Sequence, residues 1–238
     1  METLARTLTE TLRLDLTADQ QRAFRTYAAL LLEWNAHTNL TAITEPAAIE
    51  TKHFLDSLTL LRAVRPTTPG LRVVDVGSGA GFPGVPLKVV FPHIKLTLVE
   101  ATGKKADFLE HLTRTLGLRD VKVVNCRAEE CGQDAAHRER YDLALARAVA
   151  AMPTLAEYLL PLCRVGGQCV AYKGESAPQE AAQAENALRI LGGQLRQLVP
   201  IELPGVAETR YLIVIDKRAA TPEKYPRRPG IPAKRPLS

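Results

Sequence analysis

Short apolar runs alternate with segments of helical periodicity through most of this chain. The apolar runs have the length of buried strands, and they cover residues 71–76, 94–99, 121–124, 141–146 and 168–172. Helical spacing of apolar residues separates them at 84–90, 104–116, 153–162 and 178–191. Strands joined through helices form a parallel sheet that helices cover on both faces. The pattern therefore predicts an α/β fold built on a mainly parallel sheet.

Different patterns flank this alternating region. Before it, apolar residues at helical spacing predict two helices, over 17–34 and 46–61, which we interpret as a helical cap. After it, two further strand-like runs, at 194–201 and 209–216, are separated by a Pro-Gly turn. These two runs predict an antiparallel hairpin at the edge of the sheet.

The last eighteen residues change in composition. Five prolines and five basic residues fall between Thr221 and Ser238, so this segment cannot form a regular helix. Composition alone favours a disordered terminus. The alternative is an extended arm that binds phosphates or closes over an active site. We therefore divide the chain into a helical cap at 1–65, a sheet domain at 66–220 and a basic, proline-rich C-terminal arm at 221–238.

The overall composition is that of a globular protein in water. Apolar residues make up 46% of the 238 residues and charged residues 24%. No apolar run approaches the roughly 20 residues of a membrane span, and the N-terminus lacks the basic and apolar regions of an export signal. We therefore expect a cytoplasmic protein without membrane contact.

The cysteines and the net charge narrow the choice of partners. The four cysteines lack the paired spacing of a zinc site, so we interpret them as reduced and structural and expect no metal. The formal net charge of +5 suggests a polyanionic partner, although a basic surface can also be merely solvated.

Glycines alternate with other residues directly after the first predicted strand. Asp75 precedes Gly77, Gly79 and Gly81 in the pattern D-x-G-x-G-x-G, and Phe82 follows. Glycine adopts positive φ and lets a ligand approach the backbone, so a strand, a glycine loop and a helix in this order bind a nucleotide-like ligand. The dinucleotide fingerprint needs a glycine where Phe82 stands, which argues against NAD. We expect the loop at the surface, where folding tolerates substitution of Gly81.

Glu100 ends the second predicted strand. In nucleotide-binding folds an acid about twenty residues after the glycine loop accepts hydrogen bonds from the ribose hydroxyls. Such charge-assisted bonds are among the strong ones. The alternative is an acid that only leads into the next helix. The agreement of strand, loop, interval and acid favours ribose binding.

The glycine pattern resembles the first motif of S-adenosylmethionine-dependent methyltransferases. With further motifs, the chain resembles the ribosomal RNA small subunit methyltransferase G family, also called glucose-inhibited division protein B. The matching motifs occur in order along nearly the whole chain, and they are Asn39-Leu40-Thr41, His53-Phe54-Leu55-Asp56-Ser57, 75–86, Glu100 with Lys104-Lys105, Phe108-Leu109, Arg127-Ala128-Glu129, Ala146-Arg147-Ala148-Val149, Tyr172-Lys173-Gly174 and 225–237. Ala146 departs from the serine that many members carry there.

The resemblance implies a Rossmann-like class I methyltransferase with a seven-stranded sheet and an N-terminal helical cap. It implies methylation of N7 of one guanine in 16S rRNA near the decoding centre, with S-adenosylmethionine as cofactor and 16S rRNA or the small ribosomal subunit as partner. We expect a monomer. By position, the implied cofactor-binding residues are Asp75, Gly77, Gly79, Gly81, Phe82, Glu100, Ala101, Thr102, Ala128, Glu129 and Arg147. Arg147 would also be the catalytic residue at the guanine pocket.

Candidate rRNA contacts are basic residues close to these motifs. They are Lys104, Lys105, Lys173, Arg227, Arg228, Lys234 and Arg235. The first two begin a helix, where the macrodipole disfavours bases, and this favours a phosphate-binding role for them.

Several assignments have alternatives at this point. Arg147 could form a surface ion pair, and Ala128-Glu129 could be an exposed helix start. His53 and Asp56 lie three residues apart on a predicted helix, and we interpret them as an intrahelical pair with at most a positioning role.

Guanine N7 offers a lone pair without losing a proton, so the implied reaction needs alignment and no general base. The chain also lacks the Asn/Asp-Pro-Pro-aromatic run of exocyclic-amine methyltransferases and the Pro-Cys pair of pyrimidine carbon-5 methyltransferases. Two other functions would share the glycine loop: a methyltransferase for small molecules, and an inactive cofactor-binding protein on the ribosome.

Overall fold

A computed structural model, which describes residues 1–237, contains one seven-stranded sheet in the order β3-β2-β1-β4-β5-β7-β6. The strands are β1 (Arg72–Val76), β2 (Lys95–Val99), β3 (Val121–Val124), β4 (Tyr141–Arg147), β5 (Cys163–Lys173), β6 (Gly193–Ile201) and β7 (Arg210–Lys217). Neighbouring strands from β1 to β5 are parallel, and β7 is antiparallel to both of its neighbours. The predicted α/β fold is confirmed, and so is the hairpin, in which β6 forms the edge.

The helices occupy both faces of the sheet and the N-terminal cap. They are α1 (Glu2–Leu12), α2 (Ala18–Asn35), α3 (Pro46–Ile49), α4 (Asp56–Leu58), α5 (Gly84–Val90), α6 (Gly103–Thr115), α7 (Ala128–Gln133), α8 (Met152–Leu159), α9 (Ala177–Gln183), α10 (Glu185–Leu191) and α11 (Ile231–Lys234). A π-helical turn, Glu50–Leu55, joins α3 to α4, and a 3-10 turn, Thr59–Arg62, follows α4. Among residues 1–237, no helix has the length and apolarity that crossing a bilayer requires.

Helix α1 precedes the first predicted helix. Its buried residues are Leu4, Leu8 and Leu12, which recur every fourth position and mark one face of a helix. The threonines between them have weak helix propensity and obscured this signal. Helix α2 begins as predicted, because Thr17 and Gln20 form a reciprocal capping box at its start.

The cap and the sheet share one hydrophobic core. Strand residues alternate between the two faces, so Val73 packs with Leu8 and Phe24 of the cap. Val74, its neighbour in β1, packs on the other face with Leu155 of α8. The division of the chain near residue 65 therefore stays a prediction about sequence segments, because both sides contribute to the same core.

Residues 221–237 of the C-terminal arm are ordered, contrary to the disorder that the composition of the arm favours. Its backbone carbonyls accept hydrogen bonds from side chains of the main body, among them Arg138 and Gln133. Arg138 donates to the carbonyls of Thr221 and Tyr225 at 2.8 and 2.7 Å, and Gln133 donates to that of Pro226 at 2.8 Å. Proline removes backbone donors but leaves carbonyl acceptors, so side-chain donors can hold a segment that cannot form regular structure.

Gly81 lies in the core, and the expectation of a surface position is wrong. With φ of +95°, it packs where a Cβ atom would come within 2.6 Å of Tyr27 Oη and 2.9 Å of Val85 Cγ2. The loop turns inward at this point and contacts the cap, and the Tyr27 hydroxyl donates to the Ala80 carbonyl at 2.5 Å.

Gly81→Ala is therefore expected to destabilise the fold more than Gly70→Ala. Gly70 also has positive φ, +73°, but a Cβ atom there meets nothing within 4 Å, so it carries backbone strain without a collision. Overpacking a core costs roughly 1–3 kcal/mol, and we expect a difference of that order in urea unfolding. Equal destabilisation by the two substitutions would contradict the packing argument.

Candidate cofactor and substrate site

The carboxyl ends of the central strands meet at one edge of the sheet, where the strand order reverses between β1 and β4. Open α/β sheets bind ligands at such a switch point. A cavity of about 250 Å³ lies there. Five of the predicted cofactor-binding residues line it, and they are Gly77, Glu100, Ala101, Ala128 and Glu129. Cys126, Tyr158 and Ala233, which the sequence analysis did not select, also line it.

Glu100 organises the glycine loop. Its Oε2 accepts the backbone N–H of Gly79 at 2.9 Å, and its Oε1 accepts that of Thr102 at 2.8 Å. Each carboxylate oxygen has a second lone pair that remains for a ligand hydroxyl. Gly79 has φ of +57° and open space around its Cα, so a ligand can approach this backbone closely. Gly79 and Thr102 thus hold in place the carboxylate of Glu100, which lines the cavity.

Asp75 lies beneath the loop and is not among the residues that line the cavity, so its predicted contact with a cofactor stays a prediction. Its side chain is fully buried, and Oδ2 accepts the N–H of Gly84 at 2.9 Å. Within residues 1–237, Oδ1 has no hydrogen-bond partner. Burial raises the pKa of this carboxyl to about 7, although the Gly84 N–H and the charge of Arg147 oppose the shift. Asp75 therefore orders the turn into α5.

Phe82 also lies away from the cavity lining. Its ring stacks on Tyr27 and His53, with centroid distances of 5.2 and 4.5 Å. The Arg147 guanidinium carbon lies 4.8 Å from the centroid of the same ring, which gives a cation–π contact. Phe82 therefore supports the cap and Arg147, whereas its predicted contact with a cofactor stays a prediction.

Arg147, at the end of β4, is held by residues of the cap. Nη1 pairs with Asp56 Oδ2 at 2.7 Å, and Nη2 donates to His53 Nδ1 at 3.2 Å. The Asp56 side chain is 2% exposed, so this ion pair is buried, in contrast to the surface pair considered above. His53 and Asp56 each contact Arg147, and their interpretation as an intrahelical pair is wrong. The two side chains share a face because they lie three residues apart on a continuous helical segment.

His53 is an acceptor at neutral pH. Burial, and then the nearby charge of Arg147, lowers its pKa to about 4. Because Arg147 donates to Nδ1, the proton of the neutral ring is assigned to Nε2, which donates to Thr41 Oγ1 at 2.8 Å. His53 therefore adds no charge to the site.

Arg210, at the start of β7, shares Asp56 with Arg147. Its Nε lies 3.5 Å from Asp56 Oδ1, and its side chain is 38% exposed. Two guanidinium groups against one carboxylate leave one net positive charge at this point. Arg210 was not among the predicted site residues, because only the register of the strands brings it beside the cap.

The predicted rRNA contacts fall into two groups. Lys173 donates to the Ala150 carbonyl and pairs with Glu180 at 2.6 Å, and Arg227 pairs with the fully buried Glu157 at 2.7 Å. Both cations have internal partners, and their predicted contact with rRNA stays a prediction. The remaining candidates have no side-chain hydrogen bond or ion pair within residues 1–237, and they are Lys104, Lys105, Arg228, Lys234 and Arg235.

Comparison with known proteins gives a family match over most of the chain. The model of the GidB family, described as rRNA small subunit methyltransferase G, matches residues 20–204. A protein of Roseiflexus castenholzii named ribosomal RNA small subunit methyltransferase G is 52% identical over 226 residues, which cover 95% of this chain and 94% of that one. A protein of the same name from Pelotomaculum thermopropionicum is 48% identical over 240 residues and covers 100% of both chains.

Solved structures show the same fold at low sequence identity. A geranyl diphosphate methyltransferase in complex with SAM gives a TM-score of 0.53 at 17% identity, over 69% of this chain and 85% of that one. A SAM-dependent methyltransferase from Aquifex aeolicus also gives 0.53, at 15% identity, over 72% of this chain and 93% of that one. The sheet is thus that of class I S-adenosylmethionine-dependent methyltransferases, as predicted.

Relative to Asp75→Asn, the wild-type protein is expected to lose stability as pH rises from about 4 to about 7. The native carboxyl, with its pKa raised to about 7, keeps its proton over this range, whereas an unfolded carboxyl near 3.8 loses it. The native state then binds more protons, so its stability falls with rising pH. His53, with its pKa lowered to about 4, adds the opposite slope to both proteins and cancels in the comparison.

Urea unfolding of both proteins at about pH 5 and about pH 7.5 measures this difference, which we expect to be on the order of 2 kcal/mol. A stability difference that stays constant with pH would show that Asp75 is ionised in the native state throughout.

Proposed function

Because the chain belongs to the GidB family, rRNA small subunit methyltransferase G, we propose that it transfers a methyl group from S-adenosylmethionine to N7 of one guanine in 16S rRNA. The observation that carries the proposal is the cavity at the switch point, with Glu100 in its wall and Arg147 at the end of the adjoining strand. We propose that the protein acts in the cytoplasm, on 16S rRNA or the small ribosomal subunit.

The donor set of the cavity fits S-adenosylmethionine. Glu100 offers acceptors to the two ribose hydroxyls, while Val99 and Ala128 give an apolar surface for the adenine ring. When bound, the cofactor supplies a methyl group on a positively charged sulfur, and a lone pair can attack the carbon of that methyl group. Gly77 lines the cavity, and at Gly79, where a Cβ atom would meet only the Gly77 carbonyl oxygen at 3.8 Å, a ligand can approach the backbone.

The residues around Arg147 suit a reaction without a general base. His53 is neutral at pH 7 and its Nδ1 already accepts from Arg147, so it has no free lone pair with which to take a proton. Arg147 stays charged, and Asp56 fixes its guanidinium. Catalysis then rests on alignment of the guanine. Because methylation places positive charge on the guanine ring, Arg147 meets O6 or a neighbouring phosphate rather than the ring face.

The unpaired cations support a polyanionic substrate. Lys104 and Lys105 lie in the first turn of α6, directly after the residues that hold the cavity acid, and neither has an ion pair within residues 1–237. A methyltransferase for small molecules would share the cavity without needing these charges. Guanine N7 lies in the deep, narrow groove of an A-form helix, so we propose that the base is presented from a loop.

Glu100→Gln is expected to weaken S-adenosylmethionine binding about ten- to a hundredfold, which corresponds to the roughly 1.5–3 kcal/mol of hydrogen bonds to a charged group. The amide also places a donor where Gly79 and Thr102 now donate to the carboxylate. Calorimetry measures the affinity. Glu110→Gln makes the same change of charge at an exposed position of α6 and should leave affinity unchanged. Normal affinity of a folded Glu100→Gln protein would remove the ribose assignment.

The product tests the proposed function directly. Mapping of methylated nucleotides in 16S rRNA from cells with and without this protein should reveal one N7-methylguanine, which reduction and aniline cleavage make detectable by primer extension. Arg147→Ala should lose most of this methylation, whereas Arg164→Ala should not. Arg164 is the matched control because it forms an ion pair with Asp142 at the opposite edge of the sheet. Methyl label on an exocyclic nitrogen, or at an adenine or cytosine, would overturn the proposal.

A further inference from the structure

The C-terminal arm reaches the cofactor cavity. The backbone N–H of Gly230 donates to Glu129 Oε1 at 2.8 Å, and Ala233 forms part of the cavity lining. Between these two residues, the carbonyl of the buried Pro232 accepts a hydrogen bond from Thr154 of α8 at 3.2 Å. Glu129 is itself 4% exposed and lines the same cavity. The arm therefore closes one side of the space in which the cofactor is proposed to bind.

A buried ion pair fixes this stretch of the arm. Glu157 of α8 is completely buried, and it accepts from the backbone N–H of Arg227 at 2.7 Å and from its Nη2 at 2.7 Å. The same Nη2 donates to the carbonyl of Arg235 at 2.8 Å. Arg227 thus ties both ends of the segment 227–235 to α8. A buried carboxylate without its partner would cost several kcal/mol, so the arm is held firmly in this position.

The arm also fits closely against α7. A Cβ atom at Gly132 would lie 2.8 Å from Pro226 Cγ, so glycine is required for this approach. Helix α7 carries Ala128 and Glu129 in its first turn, and both line the cavity. The arm therefore packs directly against the helix that lines the cavity.

We propose that residues 230–233 are part of the cofactor-binding site and contact S-adenosylmethionine at the end of the cavity formed by Glu129. This inference rests on the proposed function and assigns a role to a segment whose basic residues alone suggested rRNA binding. These four residues, the wall, act through their shape and through the Gly230 N–H, which orients the Glu129 carboxylate. Charge is not part of this role, because Arg227 is neutralised by Glu157.

Three variants separate the wall from the charges of the arm. A chain that ends at Arg228 keeps the ion pair with Glu157 and loses the whole wall. Ala233→Leu keeps the arm and fills part of the cavity. The double substitution of Lys234→Gln with Arg235→Gln removes two exposed charges and leaves the wall in place. Ala135→Leu is the matched control, since it enlarges an exposed alanine that does not line the cavity.

Calorimetric affinity for S-adenosylmethionine, measured without RNA, is the readout, with thermal unfolding as a check on folding. We expect the shortened chain and Ala233→Leu to bind about tenfold more weakly or worse, which is a loss of about 1.4 kcal/mol. The double-glutamine variant and Ala135→Leu should bind like the wild type.

The outcomes distinguish this inference from the proposed function. If the wild type does not bind S-adenosylmethionine, the proposed function itself is wrong. If the wild type binds and both wall variants bind equally well, the wall assignment is overturned while the proposed function stands. A loss of affinity in the double-glutamine variant as large as in the shortened chain would show that the arm acts through charge, and would also overturn it. If the shortened chain unfolds, Ala233→Leu alone decides between these results.

Discussion

One buried carboxylate, Asp56, determines where the guanidinium of Arg147 lies. It belongs to the cap, yet its partners come from the sheet: Arg147 from the end of β4 and Arg210 from the start of β7. An unpaired charge at that depth would cost several kcal/mol. The cap and the sheet can therefore pack stably only in the arrangement that brings the guanidinium of Arg147 to Asp56. His53 and Phe82 complete its surroundings with a neutral acceptor and a ring face. The position of Arg147 is thus a property of the whole interface between cap and sheet.

Two further buried carboxylates act on the glycine loop, and the direction of each side chain gives them different roles. Asp75 holds the end of the loop through the Gly84 N–H, in surroundings that raise its pKa to about 7. Glu100 holds the middle of the loop through the Gly79 N–H and faces the cavity. Asp75 lies one residue before the end of β1, and Glu100 directly follows β2, so their positions in the sequence are alike. Only the direction of each side chain distinguishes the acid beneath the loop from the acid that faces the cavity.

Local patterns predicted the sheet well, because apolar runs, their spacing and the Pro-Gly turn are properties of neighbouring residues. The parts that failed depend on contacts between distant residues. The pairing of Asp56 with Arg147 joins positions 91 residues apart, and that of Arg227 with Glu157 joins positions 70 apart. The residues near Arg227 in the sequence do not indicate that it pairs with a buried acid of α8, so the composition indicated a solvated terminus. Gly81 was placed at the surface for the same reason, since the cap residue Tyr27 that covers it lies far away in the sequence.

Within residues 1–237, the candidate rRNA-binding cations divide into ion-paired and unpaired residues. Lys173 forms an ion pair with Glu180, and Arg227 forms one with Glu157. Their charges therefore stabilise the loop after β5 and the arm, respectively. Lys104 and Lys105, in contrast, begin a helix without ion pairs within the described part of the chain, at a terminus whose dipole opposes them. A fold gains nothing in stability from bases at that position. An anionic substrate of the kind proposed above would compensate this local cost when it binds.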